Sequence, residues 1–250
     1  MPKISVIIVA LNEAEHIHHC LASVKWAEEI IVVDSGSQDE TVTIARAMGA
    51  KVLYKKWEGY AKQKQFALVQ AANEWVVSLD ADEIVSPELR EAIQARVGKE
   101  PVNGYYFNRL NHFLKQPIQH CGWYPDQVLR CFLKSQARLT NVQVHEGFIV
   151  EGNKALLEGL LLHYSYNSLS EYLNKMNRYT TLEIQDKLNR LANKPIRWYH
   201  LVFNPLSRFL RMYVGKQGYK DGLIGLVVCV LSTLYLFALY GKLWERQQAK

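Results

Sequence analysis

The feature that most constrains this chain is a repeated pattern near its start: short β-branched runs, each followed by a helical stretch. Ile4-Ser5-Val6-Ile7-Ile8-Val9-Ala10 is too continuously apolar for a half-exposed strand and suits a central parallel strand covered on both faces. Ala14 to Val24 follows with Ile17, Leu21 and Val24 at helical spacing. Glu29-Ile30-Ile31-Val32-Val33-Asp34 is a second strand ending on a carboxylate. Ser37 with Glu40 reads as a capping box for a helix reaching Met48, Gly49 as its C-terminal stop, and Ala50 to Tyr54 as a third strand. This β-α-β-α-β order predicts a parallel sheet with right-handed crossovers, in the α/β class.

Trp75-Val76-Val77-Ser78-Leu79 then drives into Asp80-Ala81-Asp82-Glu83. A buried strand cannot hide unpaired carboxylates cheaply. The acids are therefore expected at its carboxyl end, where open α/β sheets hold their ligands. Asp80 and Asp82, one residue apart, are hard oxygen donors for a divalent cation, Mg²⁺ or Mn²⁺; the bland alternative is a solvated turn before the helix that begins at Pro87. No GxGxxG follows the first strand, so a dinucleotide fingerprint is absent. Lys62 and Lys64, near the start of a helix over 61–72, are either surface polarity or phosphate contacts. His16, His18 and His19 read as a solvated helix face, because no Cys or acid completes a ligand set.

After Gly98 the pattern changes. Residues 104–108 and 128–133 read as strands, the second carrying Arg130, and 111–119 as a loop. Cys121-Gly122-Trp123-Tyr124-Pro125-Asp126 is an aromatic turn with one acid, and Val142 to Gly147 sets His145 beside Glu146 at a strand end. An amphipathic helix is expected over 168–191. The organisation is read as 1–100, 101–165 and a helical 166–250.

Within that last region, Gly222 to Tyr240 contains no charge and approaches the roughly 20 residues needed to cross a bilayer. The net charge of +6 is concentrated just before it, in Lys194, Arg197, Arg208, Arg211, Lys216 and Lys220. An apolar helix beside a basic stretch points to a membrane surface. A nucleic-acid partner is disfavoured, since the basic residues do not track an aromatic groove. The four cysteines lack CxxC spacing and read as reduced thiols of a cytoplasmic protein. The apolar start of the chain shows no cleavage pattern before Asn12-Glu13-Ala14-Glu15 and is read as strand, not signal peptide.

Taken together, Ile4 to Glu13, the Val32 to Thr41 run and Leu79-Asp80-Ala81-Asp82-Glu83 resemble family 2 glycosyltransferases of the GT-A fold. Trp26 to Ile30, Gln63-Lys64, Gly122 to Asp126 and Val144-His145-Glu146 are similar to the lipopolysaccharide-core β-1,4-glucosyltransferase branch. The resemblance implies a Rossmann-like, mostly parallel sheet with flanking helices plus a C-terminal membrane-associating tail. It implies an inverting, metal-dependent transfer of a hexose, with glucose from UDP-glucose as the expected donor, to a lipid-linked saccharide at the cytoplasmic face of the inner membrane. Carried onto this sequence, Ala10, Asn12, Glu13, Asp34, Asp39, Lys64 and Asp80 would line the nucleotide-sugar pocket, and Asp82 with Asp80 would hold the metal. Glu146 or Asp126 would act as base, and Trp123, Arg130 and His145 would meet acceptor or phosphate. Two rival readings are a metal-dependent nucleotidyltransferase, which should show a Gly-rich phosphate loop where Asn12-Glu13 stands, and a non-catalytic membrane-docked binding protein.

Overall fold

The computed structural model describes residues 2–139, 147–190 and 195–248. The chain forms two compact units: Met1–Arg109 with Asp126–His163, and Leu110–Pro125 with Tyr164–Lys250.

The main sheet is formed by strands β1 (Ile4–Ala10), β2 (Glu29–Asp34), β3 (Lys51–Tyr54), β4 (Trp75–Asp80), β5 (Glu83–Val85), β6 (Gly104–Phe113), β7 (Gln116–Pro117), β8 (Asp126–Leu133) and β11 (Lys154–Tyr166). Their order is β3-β2-β1-β4-β8-β6-β11-β5, with β7 off β6. A separate two-stranded sheet pairs β9 (Ala137–Leu139) antiparallel with β10 (Phe148–Val150). β1 is parallel to β2 and β4, and its register sets Ala10 opposite Asp34 and Val9 opposite Asp80. The carboxyl ends of three strands thereby meet. β8 runs antiparallel to β4 and β6, and β11 antiparallel to β5.

Helices α1 (Ile17–Ser23), α2 (Thr41–Ala47) and α4 (Pro87–Arg96) supply Ile17, Leu21, Ala45, Leu89 and Ile93 to one face of the sheet, where they meet Val6, Ile8 and Val77. Helix α3 (Tyr60–Gln70) supplies Ala67 and Leu68 to the other face, against Ile7, Val33 and Val76. Burial on both sides explains why β1 is continuously apolar while alternate residues serve opposite faces.

Three local expectations change. Residues 13–16 form a turn, with His16 and Ile17 N–H both donating to the Glu13 carbonyl, so α1 begins three residues later than predicted. The capping box does not form: α2 has no side-chain cap, because the Ser37 hydroxyl is already committed to Asp34 and Asn12. Residues 111–119 are not a simple loop. β6 runs to Phe113, turns through Leu114 and Lys115 at positive φ, and returns as β7. Burial of Phe113 and Ile118 in the second unit drives this.

The second unit contains α5 (Leu169–Arg190), α6 (Trp198–Leu210), a π-turn over Arg211–Gly215, a 3₁₀ turn over Gly218–Asp221 and α7 (Gly222–Gln248). Its core gathers Phe113, Tyr172, Met212, Val228 and Cys229 at one place and Ile184, Leu188, Leu239 and Leu243 at another. The 3₁₀ turn and α7 approach closely: a Cβ at Gly225 would lie 2.0 Å from the Gly218 carbonyl oxygen. α7 continues beyond Tyr240 and, by length and composition, Gly218–Gln248 is apolar enough to cross a membrane.

Candidate active site

At the carboxyl edge of the parallel strands the first unit carries a row of alternating charges. Lys64 Nζ on α3 lies 2.9 Å from Asp80 Oδ1 at the end of β4. Arg130 Nη2 on β8 is 2.6 Å from Asp80 Oδ2 and also pairs with Glu83 Oε1. Glu83 is fully buried; its Oε2 accepts from the Asp80 backbone N–H at 3.0 Å, and Arg109 Nη1 on β6 is 3.3 Å from its Oε1. Arg109 Nε and Nη2 each lie 2.8 Å from Asp126 Oδ2. The order Lys64, Asp80, Arg130, Glu83, Arg109, Asp126 gives every buried ion an opposite neighbour, the condition under which charges survive burial. Burial alone would raise the Asp80 carboxyl, but Arg130 and Lys64 outweigh it and hold the group well below the usual carboxylate range. Burial works against the Arg130 cation, and Asp80 and Glu83 more than restore it.

Asp82 stands beside this row and faces His163 Nε2 at 3.3 Å. The cause is topological: β5 pairs with β11 so that Glu83 and His163 are register partners. Burial lowers the basicity of His163, while its hydrogen bond and charge contact with Asp82 raise it, and the net direction is upward.

The two loops at the ends of β1 and β2 are braced together. Asp34 accepts from the Gly36 and Ser37 N–H groups, at 2.9 and 3.1 Å, and from the Ser37 hydroxyl. Asn12, at φ 56°, donates its N–H to Ser37 Oγ and accepts from Gln38 N–H at 2.8 Å. Asp39 accepts from the N–H groups of Ala14 and Thr41 and from the Thr41 hydroxyl, which in turn accepts from Glu13 N–H. Ala10 is buried at the base of the pair, its carbonyl accepting from Ser35 N–H. Gln63 Nε2 donates to Ser35 Oγ and to the Lys55 and Lys56 carbonyls, while Gln63 Oε1 and Arg130 Nε are buried without a partner among the described residues.

The residues named from sequence thus fall into groups. Lys64, Asp80, Arg130 and Asp126 join one charge row. Ala10, Asn12, Glu13, Asp34 and Asp39 join the loop pair. Asp82 stands with His163. Trp123 lies in the second unit, edge-on to Phe113 at 6.4 Å between ring centroids. His145 and Glu146 lie outside the described residues. Of the two expected metal ligands, Asp80 already has both oxygens on cations, whereas Asp82 faces an imidazole. No group of three or more His, Cys, Asp or Glu side chains suited to a metal occurs among the described residues.

Sequence reasoning missed Arg109 and His163 and gave Glu83 no role. Arg109 carried a signal: it continues the parity of Tyr105 and Phe107, both fully buried, so its charge had to be answered inside. His163 carried none, because its relation to Asp82 exists only through the β5–β11 register.

Residues 5–157 match the model of glycosyl transferase family 2. A lipopolysaccharide core biosynthesis glycosyltransferase of Rhizobium meliloti is 31% identical over 265 residues, covering 100% of this chain and 96% of the relative. An uncharacterised glycosyltransferase of Rickettsia typhi is 33% identical over 254 residues, covering 90% and 83%. The solved structure of glucosyl-3-phosphoglycerate synthase from Mycobacterium tuberculosis, crystallised with Mn²⁺ and UDP-glucose, overlaps partially, with 25% identity, a TM-score of 0.38 and 44% of each chain covered. The chain belongs to glycosyltransferase family 2, and its fold is GT-A. Membership sets aside the nucleotidyltransferase and the non-catalytic binding protein.

Proposed function

We propose that this glycosyltransferase moves a hexose, glucose from UDP-glucose being the first donor to test, onto the saccharide of a cell-envelope glycolipid with inversion at the anomeric carbon. The observation that carries the reading is the pairing of two chemistries at one strand edge: the cations Lys64 and Arg130 on Asp80, and the Asp82–His163 pair beside them. Cations suit a diphosphate leaving group. A carboxylate is a hard oxygen donor for Mn²⁺ or Mg²⁺, and the imidazole beside it is a second donor better suited to a transition ion than to Mg²⁺. Asp82 and His163 would hold that ion, which when bound neutralises charge developing on the diphosphate. The braced loops at Asn12-Glu13 and Asp34 to Asp39 would shape the nucleoside side of the pocket.

In the displacement, the acceptor hydroxyl oxygen bonds to the anomeric carbon as the bond to the diphosphate breaks. The bonding pair leaves with the diphosphate, and the hydroxyl proton passes to a carboxylate base. Glu146 and Asp126 are the two candidates. Arg109 fixes the orientation of Asp126 through a hydrogen bond from Nε and an ion-pair contact from Nη2, both to one oxygen. A glycolipid acceptor at the cytoplasmic membrane face is supported by the name of the Rhizobium relative, by the apolar α7 and by the basic stretch before it.

The test is turnover and binding of UDP-, GDP- and dTDP-sugars with and without Mn²⁺ or Mg²⁺. One donor should be used in a metal-dependent way, with Asp82→Asn losing at least ~100-fold in turnover and His163→Phe weakening Mn²⁺ by at least ~10-fold. Unchanged turnover of Asp82→Asn overturns the metal assignment. Comparing Glu146→Gln with Asp126→Asn identifies the base.

A further inference from the structure

The second unit carries an apolar surface that the transfer chemistry does not use. On α6, Pro205 is buried and Leu201 and Phe209 are half-buried, while Trp198, Val202, Phe203, Leu206 and Leu210 are exposed. Trp198 is 68% exposed and Phe203 57%. Positions 198, 202, 206 and 210 recur every four residues, so these side chains form one ridge on the side of α6 away from its packed face. α7, on which α6 packs, has a second stripe in Leu223, Leu226, Val230, Leu234 and Phe237. Exposed apolar side chains grouped in this way on packed helices mark a protein or membrane contact.

Charge selects between them. No Asp or Glu occurs from Arg197 to Lys220. Arg197, Arg208, Arg211, Lys216 and Lys220 are exposed there, and none forms an ion pair among the described residues. Asp221, next in the chain, is held by His120 at 2.7 Å. An apolar ridge carrying Trp and Tyr at one end and flanked only by cations complements anionic lipid headgroups above an acyl layer.

α7 is long enough to span a bilayer, but its other face is committed to a charged helix. Tyr235 Oη donates to Glu183 of α5 at 2.5 Å, and Lys242 Nζ donates to the Asn177 carbonyl and the Thr180 hydroxyl at 2.7 and 2.8 Å. α5 also carries Glu171, Lys175, Arg178 and Lys187. Carrying α7 through the hydrocarbon would take those charges with it at several kcal/mol each.

We propose that α6 is a wedge that seats this protein on one leaflet of an anionic bilayer, its Trp198 to Leu210 ridge entering the acyl boundary and α7 lying along the membrane without crossing it. The proposal rests on the reading of a membrane-borne acceptor for its purpose only, since its test reads lipid binding, not sugar transfer.

Full-length protein is sedimented with phosphatidylcholine vesicles and with vesicles of equal parts phosphatidylcholine and phosphatidylglycerol. Wild type should bind the mixed vesicles and be released by alkaline carbonate. Phe203→Ser/Leu206→Ser should lose at least ~10-fold in partitioning to the mixed vesicles. Arg208→Gln/Arg211→Gln should lose about 30-fold on mixed vesicles and little on phosphatidylcholine alone. Both variants should keep wild-type donor hydrolysis and circular dichroism, which separates failure of the wedge from failure of the transferase reading. Retention through carbonate, vesicle binding unmoved by the α6 variants, or a wild-type dimer that the Phe203→Ser/Leu206→Ser variant converts to monomer would each overturn the proposal.

Discussion

Lys64 donates to Asp80 across 2.9 Å from a side chain that is only 8% exposed. A lysine at the second turn of a helix ordinarily reaches water; this one is turned inward to answer a carboxylate at the end of the neighbouring strand. Asp80 keeps Arg130 if Lys64 is removed, so the loss is smaller than for breaking an isolated buried pair. Lys64→Met should lower stability by about 1–3 kcal/mol in urea unfolding. It should also cut donor turnover by at least ~10-fold, because a cation for the diphosphate is lost. A stable, fully active Lys64→Met would show that the pair is incidental.

Glu83 is the hub of the charge row, since it alone joins Arg130, Arg109 and the Asp80 N–H. Glu83→Gln preserves its shape but leaves two guanidinium groups short of a counter-charge in a buried place. The expected cost is about 3–5 kcal/mol. Chemical denaturation would read this directly, and a cost below about 1 kcal/mol would mean that water reaches the hub.

Acid should loosen the braced loops. Burial pushes the Asp39 carboxyl up, but the Thr41 hydroxyl and the Ala14 and Thr41 N–H groups together outweigh it and leave the group lowered. The contribution of a depressed carboxyl is fully present above its unfolded value of about 3.9 and is lost as pH falls through the folded value. Asp39→Asn should therefore melt lower than wild type at neutral pH, and the gap should close below pH ~4. The side chain is exposed, so the shift should be only about 1–2 °C. A gap that persists at pH ~2 would assign the effect to something other than the carboxylate charge.

The four cysteines are buried and free. Burial pushes up the thiols of Cys20, Cys121, Cys131 and Cys229, and Cys121 and Cys229 lie 3.6 Å apart, sulfur to sulfur. A protonated, inaccessible thiol is a poor nucleophile. The native protein should stay silent to a disulfide reagent at mild alkaline pH, and all four thiols should react after unfolding. Rapid labelling of the native chain would refute this.

Much of this molecule was determined by the sequence alone. Continuous β-branched runs such as Ile4 to Ala10 can be satisfied only by a sheet covered on both faces, and the alternation with helices makes that sheet parallel. Strands that end on Asp34 and Asp80 place those acids at the one edge where a buried strand can discharge them. The uncharged run from Gly222 is as plainly a long helix. These are local regularities, decided by periodicity and by the cost of burying charge. What only the tertiary structure decided is which charge answers which. Arg109 reaches Glu83 across separate strands, His163 meets Asp82 through an antiparallel register formed some eighty residues later, and Ser37 abandons its predicted cap because Asp34 and Asn12 compete for it. Likewise, the amphipathic ridge of α6 is read as exposed only once its opposite face is seen packed. Pairing and exposure are properties of distance in space, and a chain carries distance only along itself.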